Sequence, residues 1–369
     1  MREVAFLSSS DVWRFGHGPD HPLKPTRLKR THELLEELGA FDAANVQLIA
    51  PRQATLSELA LFHSREYIEI VRTTKDSSGS TDLSRFGFGP GDNPVFEGMF
   101  ESESRKVGSA LQAAEMLVGG QCDVAFSYSG GLHHGGPDYA SGFCVFNDAA
   151  VAIKWLVEQG YRVAYVDIDV HHGDGVQNAF YHDDRVLTLS IHQDGRTLFP
   201  GTGAVEEIGI GTGEGTSVNV PLPPYVDDEM YLAAFRAIVP QVIGRFEADV
   251  MVTQLGLDTH ALDPLAHLRL TTRGQEELVR SLGDNAPLWL ALGGGGYNLD
   301  VVPRAWALAL GVMAGLDFPE RLPANYRRNY GGRWLRDQQN FYLDNEARSA
   351  IQVQVSAIVR QVKDAHGLD

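Results

Sequence analysis

Short runs of apolar residues, rich in β-branched side chains, alternate along the chain with stretches in which apolar residues follow helical spacing. The runs predict strands over residues 4–7, 123–127, 163–168, 186–191, 249–255 and 287–292. The helical spacing predicts helices over 25–38, 147–159 and 230–246, the second of which ends at Gly160. This alternation predicts an α/β fold whose sheet is parallel and covered on both faces.

The organisation of the chain predicts one domain. No linker, repeat or low-complexity tract divides the 369 residues, so we expect a single domain over 1–369. The glycine-rich stretch 209–215 has neither a complete dinucleotide fingerprint nor a Gly-Lys-Ser/Thr sequence, and we predict a loop rather than a phosphate-binding turn. The stretch from Arg336 to the end is polar and is predicted to be helical.

Composition narrows the class of protein. Hydrophobic residues make up 43% and charged residues 21%, as in soluble globular proteins, and no apolar stretch is long enough to span a bilayer. The two cysteines, Cys122 and Cys144, cannot form a disulfide framework, which favours a reducing cytoplasm. The formal charge of −17 argues against a nucleic-acid partner. The same charge would either steer cationic substrates or simply maintain solubility, and the sequence leaves both open.

Polar side chains follow the carboxyl ends of the predicted strands. The residues concerned are His133 and His134, the run from Asp167 to Asp174, His192, Asp258 and Tyr297. Open parallel sheets place their active sites at this edge, beyond the carboxyl ends of the strands. The repeated placement of polar clusters after strands therefore predicts an active site at that edge.

The run from Asp167 to Asp174 holds three carboxylates and two imidazoles at the end of a predicted buried strand. In a surface turn these groups would be ordinary, but beside a buried strand they are costly unless they are paired or bind a metal. Alternate residues of an extended segment point the same way, so Asp169 and His171 can bind one ion, with Asp258 as the best third ligand. Three protein ligands and one open position are typical of a catalytic zinc site.

The other polar residues suit acid–base chemistry. His133 and His134 offer a general base and a general acid, and the carboxylates of Asp167 and Asp174 can orient the two imidazoles. The hydroxyl of Tyr297 can donate a hydrogen bond to a developing oxyanion, and the glycines before it allow the backbone to approach a substrate closely.

Together, these residues resemble the zinc-dependent histone deacetylase superfamily, in particular its bacterial acetoin-utilisation deacetylase branch. The segments that carry the resemblance are HPLKP at 21–25, GGLHHGGPDYASGFCVFN at 130–147, YVDIDVHHGDGVQ at 165–177, FPGTG at 199–203, QLGLDTHALDP at 254–264 and LGGGGYN at 292–298. The resemblance implies the arginase-deacetylase fold, with a parallel sheet of about eight strands and flanking helices. It also implies a catalytic core over residues 1–315, followed by a C-terminal extension over 316–369.

The resemblance implies two kinds of ion. It makes Asp169, His171 and Asp258 the ligands of one catalytic zinc ion. It also implies a structural monovalent cation, usually potassium, close to the zinc site. The residues beside that cation would be Asp167, Asp169, His171 and Ser190.

The resemblance also divides the catalytic work among the remaining polar residues. His134 would be the general base and acid, paired with Asp174. His133 would be a second, electrostatic histidine, paired with Asp167. Tyr297 would donate a hydrogen bond to the oxyanion.

A narrow channel for an acyl-lysine side chain is implied as well. The residues that would contact substrate are Asp92, Gly142, Phe143, Phe199, Leu265 and Gly295. Phe143 and Phe199 would be the aromatic walls, and Asp92 would bind substrate backbone at the rim. Leu265 stands at a rim position where polyamine-selective relatives carry a glutamate. Arg27 would line an internal cavity from which acetate leaves.

The sequence therefore predicts a zinc amidohydrolase that removes acetyl groups from lysine side chains of proteins. Gly136 and Pro137 stand where animal class I enzymes have a basic pair, and Pro264 stands where nuclear complexes use a basic residue to bind inositol phosphate. Inositol-phosphate regulation is therefore not expected, and histones and corepressors are disfavoured partners.

Other functions remain open at this stage. One alternative is a deacetylase of acetylated polyamines or of another small amide. A second is a non-catalytic protein that binds acyl-lysine, although the intact set of ligands and acid–base residues speaks against it. The arginase signatures GGDHS and DAHxD are absent, which counts against a binuclear manganese ureohydrolase. No nucleic-acid or membrane partner is expected, and the sequence does not indicate the oligomeric state.

Overall fold

A computed structural model describes residues 2–74 and 82–369. In this part of the chain the strands form a single sheet in which every pair of neighbours is parallel. The eight strands are β1 (Val4–Leu7), β2 (Val46–Ile49), β3 (Val124–Ser127), β4 (Val163–Asp167), β5 (Val186–Gln193), β6 (Ser217–Leu222), β7 (Val250–Gln254) and β8 (Leu288–Leu292). Their order across the sheet is β2-β1-β3-β8-β7-β4-β5-β6, which confirms the predicted α/β class and the parallel sheet.

Helices connect the strands and cover the sheet. They are α1 (Thr26–Glu37), α2 (Leu56–Leu59), α3 (Arg65–Thr73), α4 (Met99–Val118), α5 (Asp148–Glu158), α6 (Asp174–Phe180), α7 (Asp228–Phe246), α8 (Thr272–Asn285), α9 (Val302–Ala314), α10 (Ala324–Tyr330) and α11 (Asn345–His366). Within residues 2–74 and 82–369, no helix combines the length and the apolar character that crossing a bilayer requires.

Alternation along the strands creates a core on each face of the sheet. Val4 and Phe6 of β1 belong to one cluster of buried residues, whereas Ala5 and Leu7 belong to another. Successive side chains of a strand point to opposite faces, so a fully apolar strand supplies both cores. The strands in the middle of the sheet are therefore fixed by burial on two sides.

The register of the sheet aligns the carboxyl ends of its central strands. Ser127 of β3 pairs with Leu292 of β8, and Leu292 also pairs with Gln254 of β7. Gln254 in turn pairs with Asp167 of β4, which pairs with Ser190 of β5. The loops that follow these five strands consequently begin at one level and meet above one edge of the sheet.

The predicted elements lie close to those observed. The six predicted strands form with ends within two residues of prediction, and the helices predicted over 25–38 and 147–159 are α1 and α5. Helix α7 begins two residues before the predicted start, because the Asp227 side chain caps it by accepting from the Met230 N–H. Strands β2 and β6 were not predicted. The stretch 209–215 is a loop with one short 3-10 turn at Gly211–Gly213.

The end of the chain forms a long helix later than predicted. Helical structure was expected from Arg336 onward, but α11 begins at Asn345, after Asp344 caps it by accepting from the Ala347 N–H. The side chains of Val355 and Val362 are buried in the main core cluster. Helix α11 packs against α7 and β6, so it covers one end of the sheet.

Candidate active site

Asp169, His171 and Asp258 form a buried cluster at the edge where the central strands end. Asp169 and His171 follow β4, and Asp258 follows the neighbouring strand β7. One potential ligand atom from each residue lies within 4.8 Å of the others. The His171 Nδ1 is 3.0 Å from Asp169 Oδ1 and 3.1 Å from Asp258 Oδ2. The structure therefore brings together the three predicted ligands, which are 8% exposed or less.

Amide donors orient both carboxylates of this cluster, and Asp169 Oδ1 also accepts from the His171 N–H at 3.0 Å. Asp169 Oδ2 accepts from the Gln254 side chain at 2.7 Å and from the Gly295 N–H at 2.8 Å. Asp258 Oδ1 accepts from the Val170 N–H at 3.0 Å. The other oxygen of each aspartate faces His171. The geometry suits carboxylates that each give one oxygen to an ion.

Glycine is required beside these carboxylates. A Cβ at Gly295 would lie 2.0 Å from Asp258 Oδ2, and a Cβ at Gly256 would lie 2.0 Å from Asp169 Oδ2. Both distances are far below van der Waals contact, so any larger residue would displace a ligand. Glycine at position 295 therefore has a steric reason that concerns the cluster of Asp169, His171 and Asp258.

The two buried carboxylates of the cluster favour a positive charge between them. Burial and the charge of Asp169 raise the pKa of Asp258 to about 7. Burial disfavours a charged His171, but its hydrogen bonds to the two carboxylates raise the pKa of the imidazole to about 10. Two buried carboxylates thus hold a proton on a histidine when no other positive charge is present. Carboxylate oxygen and imidazole nitrogen are a donor set that suits a divalent ion such as zinc.

His133 and His134 each bind a different aspartate. His133 Nδ1 lies 2.7 Å from Asp167 Oδ2, and His134 Nδ1 lies 2.6 Å from Asp174 Oδ1. Because a carboxylate only accepts, we place a proton on Nδ1 of both rings. The ring centroids are 4.0 Å apart. Nε2 of His133 is 3.9 Å from Asp169 Oδ1, so the two histidines lie next to the candidate metal ligands.

The two imidazoles differ in charge. Burial disfavours a charged His133, but the charges of Asp167 and Asp169 outweigh it and raise the pKa of His133 to about 9. Burial and the positive charge of His133 lower the pKa of His134 to about 4, even though Asp174 opposes the change. At neutral pH His133 is protonated, whereas His134 is neutral and able to accept a proton.

Tyr297 lies at the same recess, after the glycine-rich segment that follows β8. The recess is narrow, with about 20 Å³ accessible to a water molecule. Its lining includes Leu23, His133, His134, Gly142, Phe143, Asp169, Gly295 and Tyr297. Burial raises the pKa of Tyr297 well above its ordinary value, so the hydroxyl keeps its proton and remains a donor. Its ring meets that of Phe143 edge to face, with centroids 5.7 Å apart.

Phe143 lines the recess, and Phe199 packs against His134 beside it. Phe199 is 44% exposed, and its ring centroid is 5.0 Å from that of His134. A Cβ at Gly142 would lie 2.4 Å from the His134 ring and 2.9 Å from the Phe199 ring, so glycine there allows the rings to approach. Leu265 is half-buried. Asp92 is exposed, and its carbonyl accepts from His21 Nε2 at 3.1 Å.

The residues tied to the predicted potassium site and inner cavity are also close by. Ser190 pairs with Asp167 across β4 and β5, and its hydroxyl lies 2.9 Å from His192 Nδ1. Arg27 is buried, donates to the Gly296 carbonyl at 2.9 Å and lies over the Trp306 ring. It lines a second small cavity, with about 20 Å³ accessible to a water molecule.

Two supporting residues were not singled out from the sequence. Gln254 donates to Asp169 and accepts from the Gly256 N–H at 2.7 Å; a glutamine that ends an apolar strand was a signal for it. Asp148 accepts from the N–H groups of Gly131 and Leu132 at 2.9 and 2.8 Å and so fixes the loop that carries the histidine pair. An acidic residue in the first turn of a helix is ordinary, so the sequence held no signal for this role.

Comparisons with known proteins agree with this site. Residues 21–313 match the family described as "Histone deacetylase domain". The acetoin utilization protein AcuC of Bacillus subtilis is 41% identical over 334 residues, which cover 88% of this chain and 86% of AcuC. Histone deacetylase clr6 of Schizosaccharomyces pombe is 38% identical over 336 residues, or 89% of this chain and 82% of that protein.

Solved structures lead to the same family. A crystal structure of an HDAC homolog complexed with SAHA has a TM-score of 0.85 and 31% identity, covering 96% of this chain and 99% of that one. An HDAC homolog from Aquifex aeolicus has a TM-score of 0.84 and 30% identity over the same shares. The predicted resemblance is confirmed, and the chain belongs to the histone deacetylase family.

Proposed function

We propose that the protein is a zinc-dependent deacetylase that hydrolyses the acetyl amide of lysine side chains in proteins. The observation that carries the proposal is that three features meet at one edge of the sheet. They are the candidate metal ligands, His134 with its hydrogen bond to Asp174, and Tyr297. A reader of acyl-lysine would need the recess, but it would not need a neutral histidine held by a carboxylate. The family supports the hydrolase, and the donor set supports zinc.

Asp169, His171 and Asp258 would hold the zinc ion. Zinc, when bound, supplies a Lewis acid that polarises the acetyl carbonyl and acidifies a water molecule. Around it, Gln254 and the Gly295 N–H keep Asp169 oriented, and such outer contacts maintain ligand geometry.

His134 would take the proton of the attacking water. It is neutral at pH 7, and its Nε2 is free because Nδ1–H donates to Asp174. Asp174 then stabilises the imidazolium that forms. The carboxylates of Asp167 and Asp169 raise the pKa of His133, which favours a positive charge on His133 beside the reaction. A histidine of this pair returns a proton to the leaving amine, as hydrolysis of an amide requires.

Tyr297 would stabilise the oxyanion. Its hydroxyl remains protonated, so it can donate to the oxygen on which negative charge develops. Phe143 and Phe199 would hold the methylene stem of the lysine between them, because aromatic rings offer apolar walls. Leu265 would add an apolar rim, and the exposed Asp92 would accept N–H groups of the substrate backbone.

Three further assignments belong to the proposal. A potassium ion would lie beside Asp167, Asp169, His171 and Ser190. The catalytic core would end near residue 315, with residues 316–369 as an extension. The two cysteines are unpaired and buried, which fits the reducing cytoplasm that we propose as the location.

The proposal is tested by measuring turnover of two substrates side by side. They are a fluorogenic acetyl-lysine peptide and acetylated spermidine. We expect peptide turnover that a chelator abolishes and that added zinc restores. His134→Ala, purified in parallel, controls for contaminating deacetylases. Faster turnover of acetylated spermidine would favour the polyamine alternative. Tight binding of the peptide without any turnover by the zinc-loaded protein would favour the acyl-lysine binding protein.

A further inference from the structure

The segment that carries Tyr297 needs contacts from outside itself to be fixed. Gly294 and Gly296 have φ angles of +129° and +119°, which side chains other than glycine rarely adopt. A run of glycines has little conformational preference of its own. The tyrosine hydroxyl must nevertheless be held within a fraction of an ångström to stabilise an oxyanion well.

One peptide group, between Gly296 and Tyr297, is held at both of its polar ends. Its carbonyl accepts from Arg27 Nη1 at 2.9 Å, and its N–H donates to Asp263 Oδ2 at 2.8 Å. Arg27 is 4% exposed and Asp263 is 7% exposed. Hydrogen bonds to charged partners are stronger than neutral ones, and they are strongest where water is excluded. Rotation of this peptide plane is therefore restrained just before the tyrosine Cα.

The second oxygen of Asp263 is also used. Asp263 Oδ1 accepts from the N–H of Leu265 at 3.0 Å, and Leu265 is the residue proposed for the channel rim. The backbone N–H of Asp263 itself donates to the His260 carbonyl at 2.9 Å. One buried carboxylate thus joins the rim of the channel to the backbone of the tyrosine.

We propose that Asp263 is a positioning residue for Tyr297: its carboxylate fixes the Gly296–Tyr297 peptide and couples it to the rim at Leu265. The inference rests on the proposed function of Tyr297 as oxyanion donor. Two N–H donors at two carboxylate oxygens explain why an acidic residue is needed. Asparagine has one acceptor oxygen, so its NH₂ group would face an N–H and one of the two hydrogen bonds would be lost.

A double-mutant cycle on the zinc-loaded protein tests the coupling. We expect Asp263→Asn to lower kcat about tenfold, since displacement of a catalytic group is costly. Tyr297→Phe should lower kcat on the order of a hundredfold. In the Tyr297→Phe background, Asp263→Asn should change kcat less than about twofold, because the group that it positions is already gone. Independent losses that multiply would overturn the proposal.

A matched control separates positioning from general loss of a buried carboxylate. Asp228 Oδ1 accepts from the Thr271 N–H at 2.8 Å, and its other oxygen accepts from the Thr271 hydroxyl at 2.7 Å. Asp228→Asn should leave kcat unchanged. If Asp263→Asn does not fold, Asp263→Ser, which is smaller and also uncharged, takes its place in the cycle. If Asp263→Asn acted only through its contact with Leu265, KM would change and kcat would not.

Hydrogen exchange gives a readout that needs no activity. In the metal-free protein, the Tyr297 amide should exchange at least tenfold faster in Asp263→Asn than in the native chain or in Asp228→Asn. Unchanged exchange would overturn the proposed anchoring. If the native protein deacetylates nothing while this amide loses protection, the proposed function fails and the anchoring by Asp263 stands. If the native protein is active and protection is unchanged, only the positioning proposal fails.

Discussion

His133 and His134 are neighbours of one type that differ in charge, one positive and one neutral, because each imidazole meets different carboxylates. His133 lies within 2.7 Å of Asp167 and within 3.9 Å of Asp169. His134 has Asp174 alone, and it faces the charged His133. The sequence could offer the pair as a base and an acid, but it could not order them, since the order depends on distances between separate loops. The resemblance implies an order, and the different carboxylate partners of the two imidazoles are consistent with it.

Tyr297→Phe should keep metal but lose about a hundredfold or more in kcat/KM, because only the donor to the oxyanion is removed. The phenyl ring can keep its edge-to-face contact with Phe143, so folding should be unaffected. Turnover of an acetyl-lysine peptide and metal content should be measured on the same preparation. Near-native kcat/KM with full metal content would remove the tyrosine from the mechanism.

Leu265→Glu should shift preference from acetyl-lysine peptides towards acetylated polyamines. A carboxylate at the rim would attract the distant ammonium of a polyamine, whereas leucine offers only an apolar wall. We expect the ratio of kcat/KM values, peptide over acetylated spermidine, to fall about two- to fivefold, in line with the gain of one ion pair worth about 0.5–1 kcal/mol at the rim. Leu265→Gln, which is polar but neutral, should change the ratio little. An equal effect of both substitutions would argue against charge as the cause.

At the scale of elements, the central strands were predictable and the edge strands were not. Buried strands read as continuous apolar runs, as in β4 and β8. Strand β2 exposes two of its four residues, and β6 includes Asn219 and Pro221, so neither forms such a run. Proline lacks the N–H that a central ladder needs, and β6 tolerates Pro221 because it is an edge strand. The edges were therefore decided by contacts between elements.

The segment between α10 and α11 is anchored through Asp337. The carboxylate accepts from His260 Nε2 at 2.8 Å, from the Thr272 N–H at 2.9 Å and from Arg304 at 3.0 Å. Burial alone would raise the pKa of Asp337, but its hydrogen bond to His260 and the charge of Arg304 lower it overall. This one side chain thus ties the loop between α10 and α11 to α8, α9 and the segment after β7.

Asp337→Asn should destabilise the fold at neutral pH but not at low pH. A carboxylate whose folded pKa lies below its unfolded value of about 3.9 contributes stability above that value and loses it as the pH falls through the folded pKa. The native and variant unfolding free energies should therefore differ at pH 7, and the difference should shrink as the pH falls from about 4 towards the lower folded pKa. Urea unfolding at several pH values measures this. Asp344→Asn, at an exposed helix cap on the same segment, should change the unfolding free energy little at each of these pH values, because asparagine caps a helix about as well as aspartate.

For the molecule as a whole, the sheet decides which distant residues meet. The residues of the candidate site are spread along the chain between His133 and Tyr297. They come together because the carboxyl ends of β3, β8, β7, β4 and β5 are aligned. Strand ends are visible in a sequence, so the ligands, the histidines and the tyrosine could be named from it. Asp148 and Asp263 could not, because each hydrogen-bonds the backbone of a remote loop and has no chemical signature of its own.

The metal should stabilise the whole chain, because its ligands come from the loops of two neighbouring strands. An ion that binds only the folded state adds about 4 kcal/mol at a thousandfold excess over its Kd. Chelation should therefore lower Tm by several degrees, and added zinc should restore it. Asp258→Asn should reduce both metal content and this shift, because an amide is a poorer ligand than a carboxylate. The matched control is Asp249→Asn. Asp249 is exposed and lies just before the first residue of β7, at the end of the strand away from Asp258, so this variant should retain the metal content and the Tm shift. Full metal content and an undiminished Tm shift in Asp258→Asn would exclude Asp258 as a ligand.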